Sequence, residues 1–179
     1  MNYIIYDLAG TAKMKVLQPL SQNPGKSFFE KEIAEKAKVS RGAAHDSLKD
    51  LAKKGLVVKE KKGRMNFYRA NTANPLVRAL KNTINIANLL PLVKKLQGIS
   101  LQIILFGSFA RGENYPDSDI DLLILTQEKE KVEKIIKQSK TSLLRPIIKT
   151  PAEFAVLEDK KPTFYQEIMR GVVLWEKNT

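Results

Sequence analysis

Residues 107–121 read GSFARGENYPDSDID, with an apolar run at 101–106 before them and another at 122–125 after them. That order predicts a strand, a glycine-bearing turn and a second strand. Residues two apart in a strand share a face, so Asp119 and Asp121 stand side by side where the second strand begins. Paired carboxylates suit a hard cation, and Mg²⁺ commonly binds through one or two protein carboxylates plus substrate phosphates. Gly107 and Ser108 are small enough to let backbone N–H groups approach a phosphate, and a helix starting near Phe109 aims its positive end at that spot. The stretch reads as a metal-nucleotide site.

Four features coincide here: the Gly-Ser pair, the Ala-Arg-Gly after it, the ten-residue gap, and the Asp-x-Asp that enters an apolar strand. Together they resemble the signature of the minimal nucleotidyltransferases of the DNA polymerase β superfamily. The resemblance covers the C-terminal half of the chain, residues 99–179, and implies a small α/β domain with a mixed sheet. It implies that Asp119 and Asp121 are catalytic and ligate Mg²⁺, and that Gly107 and Ser108 hold the β/γ-phosphates of an NTP, with ATP expected. It gives Arg111 the task of neutralising phosphate charge; a structural ion pair of Arg111 with Asp117 or Glu113 is the alternative. The implied reaction moves a nucleotidyl group from the NTP to a hydroxyl. Domains of this family also adenylylate partner toxins, so a protein acceptor is among the expectations.

One departure bears on catalysis. The family carries a third carboxylate on a later strand, opposite the Asp pair, and the candidate strand here, residues 143–149, reads LLRPIIK. Its inward positions hold Pro146, Ile147 and Ile148, with Ile147 as the matching position and Pro146 and Ile148 as register alternatives, so no acid is expected there. Either the chain binds nucleotide without efficient transfer, or another acid stands in. Glu153 is the nearest, but in TPAEF it falls in the first turn of a helix opened by Thr150 or Pro151, where an acid ordinarily serves the helix dipole.

The composition bounds the partners. The chain has 179 residues and a formal net charge of +12. Through Pro75 there are 15 Lys and Arg against 7 Asp and Glu, leaving 16 against 12 for the remainder, so the basic surplus lies in the N-terminal part. Such a surplus favours polyanions, with a merely solvated lysine-rich surface as the bland alternative. The absence of cysteine excludes disulfides, thiolate zinc sites and cysteine nucleophiles. No apolar run approaches the roughly 20 residues of a membrane span, and the start MNYIIYDLAG lacks the pattern of a secretory signal. A soluble cytoplasmic protein is expected.

The N-terminal part carries the marks of three short helices. Met14, Leu17 and Leu20 or Ser21 recur at helical spacing before Asn23, Pro24 and Gly25 interrupt them. A second helix spans residues 29–37, with Ile33 and Ala34 inward. Ser40 is a good N-cap for a third, which carries Ala44, Leu48, Leu51 and Ala52 on one face and ends at Gly55. Two strands then flank a basic hairpin tip, Lys61-Lys62-Gly63-Arg64. Residues 13–71 are similar to a winged helix-turn-helix, the third helix and first wing strand above all. The resemblance implies that Arg41, His45, Asp46 and Lys49 face outward and that Arg41, His45 and Lys49, with Lys61, Lys62 and Arg64 of the wing, contact duplex DNA. A winged helix used for protein contacts is the alternative. His45, the sole histidine, lacks the His or Cys partners of a metal site. Phe67 and Tyr68 are placed either to stack on bases or to be buried in the wing, and Trp175 is read as core or edge-strand packing.

Between the two parts, residues 76–96 are amphipathic and interrupted by Pro91, which predicts one helix ending or kinking near Leu90 and a second over 91–97. The first is a linker or a dimerisation helix, and a homodimer is the partner it implies. Residues 128–140, with Val132, Ile135 and Ile136, read as an amphipathic helix covering the sheet. The fold class is α+β: a winged helix-turn-helix over 1–73, a helical linker over 74–98, and the nucleotidyltransferase-like domain over 99–179. The leading function is Mg-NTP binding with nucleotidyl transfer beside a DNA-binding domain. The rival is a DNA-binding transcriptional regulator whose transferase domain is degenerate and senses nucleotide.

Overall fold

The structure is a computed structural model that describes residues 11–139 and 141–177. Residues 1–10, over which no secretory signal is expected, lie outside the described ones. The chain divides into two compact units between Ala87 and Asn88.

The first unit opens with α1 (Ala12–Gln22), whose N-terminus is capped by Thr11 Oγ1 accepting from the Met14 N–H at 3.3 Å. Strand β1 (Phe28–Phe29) leads into α2 (Glu30–Ala37), then α3 (Arg41–Lys53) and the hairpin of β2 (Val57–Lys62) and β3 (Met65–Ala70). Ser40 is the N-cap of α3, its hydroxyl accepting from the Ala43 N–H at 3.2 Å. The three strands form one antiparallel sheet in the order β1-β3-β2. Val16, Leu20, Phe28, Ile33, Ala44, Leu48 and Tyr68 meet in a single core, and burying the Val, Leu, Ile and Phe side chains among them stabilises by about 1.5–3 kcal/mol each. Three helices and a β-hairpin around that core make a winged helix-turn-helix. The hairpin turns at Gly63, whose φ of +62° is open to glycine at no steric cost.

Helix α4 (Pro75–Leu96) holds a correction. It runs unbroken through Pro91, where an end or kink was expected near Leu90. A proline removes one i→i−4 hydrogen bond and crowds the preceding turn, yet Val93 and Leu96 beyond it are buried, and that burial offsets the loss.

The second unit is a four-stranded mixed sheet in the order β6-β5-β4-β7. Strand β4 (Gln102–Phe106) is followed by a one-turn helix α5 (Gly107–Arg111), then β5 (Ile120–Leu125), α6 (Lys129–Gln138), β6 (Leu144–Lys149), α7 (Pro151–Lys160), α8 (Pro162–Met169) and β7 (Val172–Glu176). β4 is antiparallel to β5 and to β7, and β5 is parallel to β6 across the α6 crossover. One face of the sheet packs Ile104, Phe106, Leu123 and Leu125 against Phe154 of α7 and Ile168 of α8. Phe106 meets Phe164 edge to face at 5.9 Å, and Phe154 meets Tyr165 at 5.1 Å. Gly171 admits α8 to the sheet, since a Cβ there would lie 2.5 Å from the Leu105 carbonyl oxygen and 2.7 Å from Ile104 Cγ2. Trp175 is half-buried opposite Ile103, the strand packing anticipated for it. β6 is an edge strand with Pro146 at its middle. Ile120 N–H donates to the Leu143 carbonyl at 2.8 Å and Thr126 N–H to that of Lys149 at 2.9 Å. Odd-numbered residues of β6 therefore bond β5, and Pro146 faces outward, the setting in which a strand tolerates proline.

Candidate metal-nucleotide site

Asp121 sits near the start of β5, directly across from Phe106, the last residue of β4. Gly107, next in the chain, has φ +67°, and a Cβ on it would collide with Asp121 Oδ2. A side chain at 107 would therefore fill the space at the carboxylate, which is why the turn requires glycine in both conformation and volume. The helix after it begins at Gly107, two residues before the expected Phe109, and Gly112 closes it at φ +67°.

Asp119 lies just outside the strand and is half-exposed, while Asp121 is partly buried. Burial raises the Asp121 carboxyl above its usual range, helped by the negative charges of Asp119 and Glu167; the cations Arg145 and Arg111 pull the other way. Two carboxylates of which one resists ionisation want positive charge beside them.

The parallel register settles which residue stands laterally to the pair. Asp121 is paired with Arg145, and Ile147 with Leu123. The expectation of Ile147 at that position is corrected: Ile147 lies two residues deeper, packed in the core beneath α7 and α8. The lateral residue is a cation. Arg145 Nη2 is 3.2 Å from Asp119 Oδ1, and its Nη1 donates to the carbonyls of Ser142 at 3.1 Å and Leu144 at 3.4 Å. With both partners about half-exposed, such an ion pair contributes under about 1 kcal/mol.

Glu153 does not stand in for the missing acid. It caps α7 in a reciprocal box with Thr150, accepting from the Thr150 N–H at 2.8 Å, and takes Lys129 Nζ at 2.6 Å. Lys129 chiefly holds its carboxyl down to about 2. Leu125, four residues along β5 from Asp121, pairs with Lys149, so Glu153 lies beyond the far end of the strand, more than about 13 Å away at ~3.3 Å per residue.

Arg111 donates from Nε to Glu113 Oε2 at 2.8 Å and from Nη1 to Glu167 Oε1 at 3.4 Å. Of the two ion pairs weighed for it, the one with Glu113 forms, and Glu167 rather than Asp117 takes the second carboxylate place. Sequence reasoning missed Glu167. It lies in α8 three residues after Phe164, on the turn that Phe164 and Ile168 hold against β4, and only that packing brings it to the site. A cavity of about 280 Å³ opens beside Gly107, lined among others by Arg111, Thr163, Gln166, Glu167 and Arg170.

The donor set fits one divalent cation: two carboxylates, all oxygen, beside a turn that a Cβ would obstruct. Among the described residues no group of three acidic, His or Cys side chains is placed to hold a metal, and Arg145 occupies the lateral position where a further acid would be needed.

In the first unit, Arg41, His45, Asp46 and Lys49 are exposed along α3, and Lys61, Lys62 and Arg64 are exposed at the wing. His45 Nδ1 is 3.1 Å from Glu30 Oε2. Lys62 pairs with Glu60 at 3.4 Å and lies over the Phe67 ring at 5.5 Å. Tyr68 is buried in the core, whereas Phe67, on the opposite face of the strand, is half-buried and meets the exposed Phe29 edge to face at 6.2 Å. Among the described residues no helix is long and apolar enough to cross a membrane.

The family model described as Polymerase beta, Nucleotidyltransferase matches residues 80–179, and the one described as Sugar-specific transcriptional regulator TrmB matches residues 26–74. Among solved structures, ZitR of Lactococcus lactis in complex with DNA is 20% identical, with a TM-score of 0.38, covering 49% of this chain and 59% of its own. The transcriptional regulator BldR of Sulfolobus solfataricus is 17% identical, with a TM-score of 0.36, covering 53% and 68%. A Sulfolobus solfataricus protein with a provisional nucleotidyltransferase assignment is 17% identical, with a TM-score of 0.37, covering 56% and 87%. These likenesses are too slight to bear on function. No curated protein sequence matches the chain. With its family match reaching over residues 80–179, more than half its length, the chain, which folds as a winged helix-turn-helix ahead of that match, belongs to the Polymerase beta nucleotidyltransferase family.

Proposed function

We propose that this protein binds a nucleoside triphosphate, with ATP as the leading choice, together with one Mg²⁺ at Asp119 and Asp121, and binds duplex DNA through its winged helix. The observation that carries the nucleotide reading is the contact between Gly107 and Asp121: the phosphate-sized turn and the metal-ligating acid are separated by less than one side chain. Gly107 and Ser108 offer backbone N–H groups to the β/γ-phosphates. Arg111 exchanges a carboxylate partner for phosphate oxygens. The bound cation would supply Lewis-acid neutralisation of phosphate charge. For DNA, Arg41 and Lys49 on α3 and Lys61 and Arg64 on the wing are exposed, and their side chains make no hydrogen bond or ion pair among the described residues, which leaves them available to phosphates.

Transfer to a simple hydroxyl is weak in this reading. The acceptor oxygen must bond the α-phosphorus as pyrophosphate leaves, and its proton must go to a base. The residue beside Asp121 is a guanidinium, which accepts no proton. A second reading, transfer to another protein such as a toxin, is favoured by the cavity at Gly107, which is roomy enough for an acceptor side chain and carries Glu167 on its wall.

Titration calorimetry with Mg-ATP on the full chain tests the first reading. Asp119→Asn combined with Asp121→Asn abolishes metal-dependent binding while leaving the fold intact; unchanged affinity in that variant overturns it. Labelled NTP incubated with the protein and a lysate of its own cell tests the second.

A further inference from the structure

Among the described residues, Arg145 is the cation whose contact with the acid pair is fixed by backbone register. It is the strand partner of Asp121, it reaches Asp119 at 3.2 Å, and its other terminal nitrogen is tied to the carbonyls of Ser142 and Leu144. The guanidinium is thus anchored on its own strand through Nη1 while Nη2 rests on a metal-ligating oxygen. The pair is also exposed at both ends, so it is weak enough to be exchanged.

We propose that Arg145 is the resident counter-ion of the Asp119–Asp121 pair and competes with the divalent cation for Asp119. The site then takes metal poorly on its own and takes it well only with a polyphosphate, whose negative oxygens receive the displaced guanidinium. This rests on the nucleotide reading above and adds a coupling to it: metal and nucleotide each raise the affinity of the other by one common factor. Arg145 acts through the acids and the phosphates, not on a proton, which suits a module that reports on nucleotide more than one that turns it over.

The experiment is calorimetric titration of the full-length protein with Mn²⁺ alone, then with a non-hydrolysable ATP analogue at saturating Mn²⁺. Arg145→Ala should bind Mn²⁺ alone about tenfold more tightly, because one positive charge is removed within a few ångströms of a dication. The same variant should bind the analogue more weakly, whereas Arg145→Lys keeps both affinities close to wild type. If Arg145→Ala leaves Mn²⁺ affinity unchanged while Asp119→Asn abolishes it, the counter-ion role is overturned and the nucleotide reading stands. If no variant, nor the wild type, binds Mn²⁺ with or without the analogue, both fall. Circular dichroism of each variant separates lost binding from lost fold.

Discussion

Replacing Gly107 by alanine is the sharpest single probe of the site, because it strains the backbone and the Asp121 carboxylate together. At φ +67° a residue with a Cβ loses roughly 1–2 kcal/mol relative to glycine. The new methyl also collides with Asp121 Oδ2, and turning that carboxylate off its rotamer adds about 0.5–1.5 kcal/mol. The sum is about 2.5 kcal/mol, or a midpoint lowered by roughly 10–20 °C for a unit of this size. Trp175 is the only tryptophan and lies in β7, so its fluorescence during thermal unfolding follows the sheet that holds the site. The two contributions separate in a double-mutant cycle: Gly107→Ala with Asp121→Ala relieves the collision and leaves only the backbone strain. The double variant should be less destabilised than the two single changes added together, by about 1 kcal/mol. Additivity within about 0.5 kcal/mol would show that the methyl and the carboxylate do not meet, and the geometric argument for the site would fail with it.

Asp121→Asn should raise the Trp175-monitored midpoint at pH 7. Burial first, then Asp119 and Glu167, hold the Asp121 carboxyl above its usual range, so its contribution to stability is present in acid and lost as pH rises through the folded value; the gain should vanish toward pH 3, and no gain at pH 7 refutes the electrostatic reading. Glu153→Gln should do the opposite. With its carboxyl held at about 2, Glu153 stabilises the fold above the ordinary carboxylate range and ceases to as pH falls toward 2, so the variant should unfold earlier at pH 7, converge with wild type near pH 2, and keep wild-type Mg-ATP affinity in calorimetry. In the first unit, alanine at Lys61, Lys62 and Arg64 together should lower the log–log salt slope of duplex DNA binding by about 0.9 for each phosphate no longer neutralised; an unchanged slope in fluorescence anisotropy removes the wing from the interface.

The caps, turns and apolar periods of the winged helix were legible because each is a local decision: Ser40 caps α3, Gly55 and Gly63 take positive φ, and Leu48 and Leu51 share a buried face. The Gly-Ser turn and the Asp pair were legible for a related reason, since adjacent strands joined by one short connection place them together whatever the rest of the sheet does. Arg145 was not. Its position depends on the register of a parallel pair joined through a helix, and a shift of two residues along an apolar run such as LLRPIIK leaves the same pattern in the sequence. Glu167 was hidden further, because it reaches the site only through the packing of Phe164 and Ile168 on β4. Pro91 misled for the converse reason: the local rule is real, but the burial of Val93 and Leu96 belongs to the tertiary structure.

The outward edge of β6 has a consequence for how this protein behaves at high concentration. Three residues there, Leu144, Pro146 and Ile148, point their backbone away from β5. The Leu144 N–H is already given to the Thr141 carbonyl at 3.3 Å, and Pro146 has none to give, so among the described residues of that edge only Ile148 offers a donor. An incoming strand needs a row of donors and acceptors to zip against. One edge of the sheet is therefore closed to strand addition, and intermolecular β-pairing or fibril growth by this domain is confined to the β7 side.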